Sequence, residues 1–220
     1  MPRLASLVQN LHGRSQVPAS AAAGLMVLLG IGGCAVLGLG GSPVTIYVSD
    51  LDLSAVAQDR GTAQRDRSVN GNELRVASRA FARGLGTHAG SRARILLHGR
   101  ALRFRAQVGV DDEVLTRDGR RRGSVEFLVF VDGRKAYQSG VLHASDPPRA
   151  VEVDVRGAGE LWLVVDPGQD GIHDDHADWG EARLEVKAGA PLPALLEPER
   201  APTVVLTPKP PAQPRLNGPA

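Results

Sequence analysis

Apolar and polar positions alternate with a period of two through most of the middle of the chain. Leu102, Phe104, Ala106 and Val108 alternate with Arg103, Arg105 and Gln107, the pattern of a strand with one face in a core and the other in water. Val125, Phe127, Val129 and Val131 repeat it as far as Asp132-Gly133, and Ala136-Tyr137 resumes the apolar run. Asp-Gly tolerates the two positive-φ positions of a type I′ turn, so this stretch predicts a hairpin. Val151, Val153 and Val155 alternate with Glu152, Asp154 and Arg156, and Gly157-Ala158-Gly159 turns the chain into Leu161-Trp162-Leu163-Val164-Val165. The last strand places Ala182, Leu184 and Val186 inward and Arg183 and Glu185 outward. Short strands at this spacing predict an all-β sandwich or barrel. The region 47–186, about 140 residues, is large enough to bury a core without disulfides. Only residues 72–83 and a few after Leu53 predict short helices.

The two ends break this pattern in opposite ways. No Lys, Arg, Asp or Glu falls between Arg14 and Asp50, and the apolar stretch 21–41, about 20 residues, matches the span of a hydrocarbon core. Arg3 and Arg14 precede it while Asp50 and Asp52 follow, which directs the amino terminus to the cytoplasm and everything after Ser42 outside. Residues 1–42 therefore predict a membrane-directed segment, with three fates open: an uncleaved anchor, a cleaved signal peptide, or a lipoprotein signal. Ile31-Gly32-Gly33-Cys34 resembles a lipobox, which implies lipidation at Cys34; the alternative is a cysteine packed as a small apolar residue of a spanning helix. Beyond Lys187, prolines at 191, 193, 198, 202, 208, 210, 211, 214 and 219 remove ladder donors and fix φ. Residues 189–220 predict a disordered, Pro-rich tail.

Composition narrows the function classes. Among 220 residues, 26 Lys and Arg face 24 Asp and Glu for a net charge of +2, without the one-sided positive excess of a nucleic-acid binder. The one cysteine excludes a disulfide framework, a Cys-ligated zinc site and an iron–sulfur cluster. No Gly-x-Ser-x-Gly, His-Glu-x-x-His or phosphate-binding Gly-x-x-x-x-Gly-Lys occurs, so no motif marks an enzyme. The run Arg117-Asp118-Gly119-Arg120-Arg121-Arg122 predicts a solvated connecting loop.

The loops carry a resemblance. In order, the chain contains Ser49-Asp50-Leu51, then Asp66-Arg67-Ser68-Val69-Asn70-Gly71-Asn72-Glu73-Leu74, then Gly84-Leu85-Gly86-Thr87-His88-Ala89-Gly90-Ser91. Phe104 and Val108-Gly109-Val110-Asp111-Asp112-Glu113-Val114 follow, with Gly123-Ser124-Val125-Glu126-Phe127 and Asp132-Gly133 after them. Ser139-Gly140-Val141-Leu142, Asp170-Gly171 and Asp175-His176-Ala177-Asp178-Trp179 complete the series. Over nearly all of 47–186 this set resembles the NPCBM family, the "novel putative carbohydrate-binding module". The resemblance implies a galactose-binding-like jelly-roll sandwich over 46–188 that is often attached to bacterial glycoside hydrolases and is itself no catalyst. It implies noncovalent binding of a glycan ligand, with galactose-containing glycans first, by a module exported to the bacterial envelope. The alternative is a structural or protein-interaction domain that has lost the sugar site. One departure stands out: the family carries a Trp in its first glycine-rich stretch, and Gln58-Asp59-Arg60-Gly61-Thr62-Ala63-Gln64 has none.

Sugar sites need fixed donors and acceptors around hydroxyls and commonly an aromatic face. The loop residues that qualify are His88, Asp111, Asp112, Asp175, His176, Asp178 and Trp179, with the clusters at Thr87-His88 and Asp175-His176 expected to share a rim. Each has a structural alternative: Asp111-Asp112 as a turn cap, Trp179 as a core plug, His88 bonded to a buried carbonyl. The galactose-binding-like resemblance also implies structural Ca²⁺, which takes oxygen ligands. The expected ligands are Asp66, Ser68 and Asn70, closed by Glu181 from the last strand; the loop 166–171 is a second oxygen-rich stretch, and solvated acidic turns are the alternative for both.

Overall fold

A computed structural model describes residues 41–115, 122–168 and 171–198. From the amino end come β1 (Val44–Tyr47), β2 (Gln64–Arg65), β3 (Leu74–Val76), β4 (Arg79–Phe81) and β5 (Gly84–His88). The middle holds β6 (Ser91–Leu96), β7 (Ala101–Val110), β8 (Ser124–Val131) and β9 (Arg134–His143). β10 (Arg149–Asp154), β11 (Glu160–Pro167), β12 (His176–Val186) and β13 (Ala194–Leu196) follow. One sheet runs β10-β7-β12-β5-β2, with β1 also paired to β12, and the second runs β13-β6-β11-β8-β9. Every pairing is antiparallel.

The core lies between these sheets because the alternating residues face it. Phe104, Val108, Trp179 and Leu184 from one sheet meet Ile95, Phe127, Val129, Leu161 and Leu163 from the other. Trp179 is the central plug: its ring meets Phe127 edge-on at 5.0 Å and Phe104 at 6.3 Å, a geometry that suits the positive edge and negative face of aromatic rings. The apolar alternations at 102–108, 125–131, 161–165 and 182–186 fall on strands, and that at 151–155 falls on β10 and the residue after it. Asp132 (φ 46°) and Gly133 (φ 75°) make the turn between β8 and β9, as the Asp-Gly signal requires.

Three expectations change. Residues 72–83 form no helix but the β3–β4 hairpin, in which Leu74 pairs with Phe81 and Val76 with Arg79. Ala77 (φ 48°) and Ser78 (φ 68°) make its turn, a conformation no right-handed helix contains. Second, the chain after Leu53 makes only a single 3₁₀ turn, Leu53–Ala55, capped by the Asp52 side chain. Third, the sandwich does not stop at 188, since β13 pairs with β6 and Leu195 joins the core. Pro191 and Pro193 precede that strand and Pro198 follows it, positions an edge strand tolerates. The stretch to residue 40 expected to be membrane-directed, Cys34 with it, the arginine run 117–121, Asp170 and the tail from 199 lie outside the described residues.

The hairpin lies on the face of the six-stranded sheet turned away from the core, where Leu74, Val76 and Phe81 make their own apolar cluster. Glycines make room for it. Gly86 and Gly109 flank Asp178 on the neighbouring strands. A Cβ on Gly86 would stand 2.5 Å from the Ser68 Cα, and one on Gly109 would collide with Val76. The loop before the hairpin, and the hairpin itself, thus close directly over Asp178.

Candidate functional site

β5, β12 and β7 end together, and their ends bring dispersed loop residues to one place. His88 closes β5 directly opposite His176, which opens β12. Asp111, just past β7, donates its N–H to the His176 carbonyl at 3.0 Å. Its carboxylate caps the 3₁₀ turn Asp112–Val114, accepting the Glu113 N–H at 2.7 Å, and reaches the hairpin by accepting the Arg75 N–H at 3.1 Å. That turn folds Glu113 back toward β12. Glu113 Oε1 meets His176 Nδ1 at 2.6 Å, while Oε2 accepts from the Ser68 hydroxyl at 2.6 Å and the Asn72 amide at 2.7 Å. Burial pushes the Glu113 carboxyl up, but the hydrogen bonds from His176, Ser68 and Asn72 outweigh it and hold the group below the usual carboxylate range. Glu113 is therefore ionised at neutral pH.

His88 is buried, and its Nδ1 lies 3.3 Å from the Ala89 carbonyl. Burial lowers its pKa below the usual imidazole value, opposed by the Ala89 hydrogen bond and Asp59 and reinforced by Arg60, and by His176 when that ring is protonated. The two imidazoles stand 5.5 Å apart, centroid to centroid, at 60°. The segment 58–60 borders them: the His88 N–H donates to Gln58 Oε1 at 3.3 Å, and the Gln58 amide donates to the Arg60 carbonyl at 2.6 Å. Gly90 (φ 80°) sits against Asp59, whose carboxylate a Cβ there would strike.

Beneath this rim lies a pair of buried acids. Asp178 is fully buried and neither carboxylate oxygen accepts a hydrogen bond. Burial, then Asp111 and Glu113, push its pKa well above the usual carboxylate range. Burial likewise raises Asp111. Burial and the neighbouring carboxylates thus favour the protonated form of Asp178. An open cleft of about 270 Å³ beside the pair is lined by Asn72, Glu73, Arg75, Asp111, Asp112 and Glu113.

The expected site residues therefore divide. His88, His176 and Asp111 come together with Asp178 below them. Asp112 does a turn cap's work, its two oxygens accepting the Ala77 and Ser78 N–H groups at 2.8 and 2.7 Å. Asp175 is buried and ties two loops, accepting the Ser124 N–H on Oδ1 and the Ala89 N–H on its carbonyl, both at 2.9 Å. Trp179 faces the core and is absent from the rim. Glu113, Gln58, Asp59 and Arg60 belong to the site and were not among the expected residues. Glu113 was legible only as the third acid of a run after a strand.

The expected calcium ligands do not fit that ion here. The Asp66 carboxylate accepts the Gly84 N–H at 2.9 Å and pairs with Arg83 at 3.2 Å, so a guanidinium already serves it. The Ser68 hydroxyl is committed to Glu113, Asn70 is exposed, and Glu181 lies 3.9 Å from Arg183. In the second oxygen-rich loop, Asp166 pairs with Arg92 at 2.7 Å. Among the described residues, no group of three His, Cys, Asp or Glu is arranged to hold a metal ion.

Comparison with known proteins matches this region to a described family and to solved domains. The model of the NPCBM/NEW2 domain matches residues 44–185. Alpha-1,3-galactosidase B of Akkermansia muciniphila is 29% identical over 140 residues, covering 62% of this chain and 17% of the relative. A putative endo-alpha-N-acetylgalactosaminidase of Renibacterium salmoninarum is 26% identical over 159 residues, 69% of this chain and 10% of the relative. The chain thus spans a small part of the curated relatives it matches. Among solved structures, CBM51-2 with the INT domains of Clostridium perfringens ZmpB, in complex with GlcNAc, is 32% identical with a TM-score of 0.61, covering 67% of this chain and 33% of that one. CBM51 from Clostridium perfringens GH95, in complex with methyl-galactose, is 30% identical with a TM-score of 0.58, covering 64% of this chain and 99% of that one.

Proposed function

The chain belongs to the NPCBM/NEW2 domain family, a family of carbohydrate-binding modules rather than enzymes, and from that premise we propose that its sandwich binds a glycan noncovalently at the rim of His88 and His176. The observation that carries the reading is the juxtaposition of the buried His88 and the partly exposed His176 at the open end of β5 and β12, bordered by Asp59, Arg60 and Glu113. Such a rim supplies oriented polar groups on a rigid scaffold, which is what recognition of sugar hydroxyls requires. With Trp179 in the core, the partly exposed His176 ring is the flat surface this rim offers to the apolar side of a sugar. Galactose-containing glycans come first, and the methyl-galactose and GlcNAc held by the two similar domains support a small neutral sugar as the unit recognised.

The same reading puts the sandwich on the extracytoplasmic side of a bacterial envelope, with residues 1–42 as anchor, lipidated at Cys34, or cleaved. Mass spectrometry of the mature amino terminus separates these three. The binding claim is tested on a glycan array and by calorimetry with methyl-galactose and GlcNAc. Affinity is expected for wild type and its loss for His88→Ala and His176→Ala. Absence of binding by wild type, with and without added Ca²⁺, sinks the reading.

A further inference from the structure

The rim carries more than a location. Glu113 is ionised and has no proton to give, so at the 2.6 Å contact the proton lies on His176 Nδ1 and the carboxylate accepts it. In His88 the Nδ1 likewise faces an acceptor, the Ala89 carbonyl, so its proton belongs on Nδ1 as well. A singly protonated ring with its proton on Nδ1 has a bare Nε2. Among the described residues nothing hydrogen-bonds Nε2 of either ring, and neither atom is among the fully buried unpaired ones, so both reach solvent. With each ring singly protonated, two neighbouring strands present two lone pairs.

Resting on the carbohydrate reading, we propose that Glu113 is the positioning residue of the site: it fixes His176 as the Nδ1–H tautomer, so that the rim is a pair of hydrogen-bond acceptors for two hydroxyl groups of one neutral sugar. The hydrogen-bond wiring gives Glu113 only one way to sit. Its Oε2 already receives two donors, from Ser68 and Asn72, and its Oε1 receives the third from His176. The charges agree with the ligand class. Arg60 offsets Asp59, burial raises Asp111 and Asp178 toward their protonated forms, and the Glu113 charge leaves the rim unsuited to a carboxylate or sulfate, which would also meet lone pairs where it needs donors.

Glu113→Gln separates this role from mere support. With two donors still on one side, the amide introduced by this substitution keeps its carbonyl there and turns its NH₂ toward His176, donating to Nδ1 and moving the ring proton to Nε2. On the full chain labelled with ¹⁵N-histidine at pH 8, imidazole ¹⁵N–¹H correlation spectra are expected to show Nδ1–H for His88 and His176 in wild type and Nε2–H for His176 in the variant. Titration with methyl-galactose and GlcNAc is expected to lose at least tenfold in affinity in Glu113→Gln, with N-acetylneuraminic acid not bound by wild type. Val76→Ala, which loosens the hairpin's apolar cluster without removing any partner of Glu113, His88 or His176, is expected to keep the wild-type tautomer and bind within threefold of wild type.

An Nε2–H tautomer for His176 in wild type overturns the positioning role, whatever binds. So does a tautomer exchange in Glu113→Gln with affinity unchanged, or an equal loss in Val76→Ala, which would assign the effect to the hairpin. Preferential binding of the anionic sugar overturns the ligand class. The predicted tautomers with no sugar bound to wild type would instead overturn the carbohydrate reading, and the ligand class with it, while leaving the wiring in place.

Discussion

Asp178→Asn is expected to stabilise the sandwich at neutral pH. Asp178 sits on β12 between Gly86 and Gly109, beneath the loop and hairpin of 66–81, with no exposure and no hydrogen bond to its oxygens. Asparagine has nearly the same shape and never ionises. The gain has a definite origin. Each unit by which burial, Asp111 and Glu113 raise the folded-state value lowers stability at neutral pH by about 1.4 kcal/mol, because the unfolded chain releases that proton freely. Asparagine leaves its own carbonyl oxygen buried, a cost of about 1 kcal/mol or more that offsets part of this. A net gain of about 1–2 kcal/mol at pH 7.5 corresponds to a Tm rise of roughly 2–8 °C for a domain of this size.

The sign is checked by pH. Below the ordinary carboxylate range both states hold the proton and Asp178 costs nothing; as pH rises through that range only the unfolded state ionises, so stability falls. Thermal unfolding followed by circular dichroism at pH 4, 5.5 and 7.5 should show the variant's advantage growing with pH. A variant no more stable than wild type at pH 7.5, or an advantage as large at pH 4, would refute the buried-acid argument.

Other perturbations separate the elements of the site. Gly86→Ala drives a Cβ into the backbone at Arg67 and Ser68 and should cost about 1–3 kcal/mol, read from chemical denaturation; a neutral result would mean that the covering loop is not packed on β5. Asp112→Ala frees the Ala77 and Ser78 N–H groups and should cost about 1–2 kcal/mol, with faster hydrogen exchange confined to the hairpin turn. His88 has its pKa lowered by burial, so its contribution is fully present above the ordinary imidazole value of about 6.5 and is lost as pH falls below it. Melts between pH 7.5 and 5 should therefore flatten in His88→Gln relative to wild type, and identical slopes would contradict the assignment.

The sandwich was legible because half-buried strands of five or more residues print their alternation, and Asp132-Gly133 and Gly157-Ala158-Gly159 mark turns by chemistry alone. Shorter strands carry no such print. Leu74, Val76 and Phe81 belong to two three-residue strands, too brief to separate a period of two from a helical spacing. β13 was masked by the prolines around it. Of the site, His88 and His176 could be named as polar loop residues, yet nothing in their order says that they are cross-strand neighbours. Glu113 was harder still, since its meaning depends on a contact with His176 across 63 positions. Trp179 shows the converse: a motif can be read correctly while its ring points into the core instead of toward a ligand.

The acids at 111–113 occupy successive positions of one short turn, and each grips a different backbone or side chain: Arg75, then Ala77 and Ser78, then Ser68, Asn72 and His176. A 3₁₀ turn advances about 120° per residue, so the three carboxylates point in three directions only while their count is kept. Substituting one loosens one grip, but deleting or inserting a single residue between Val110 and Val114 rotates the others out of reach together. Length, more than identity, is the quantity this turn is least able to change.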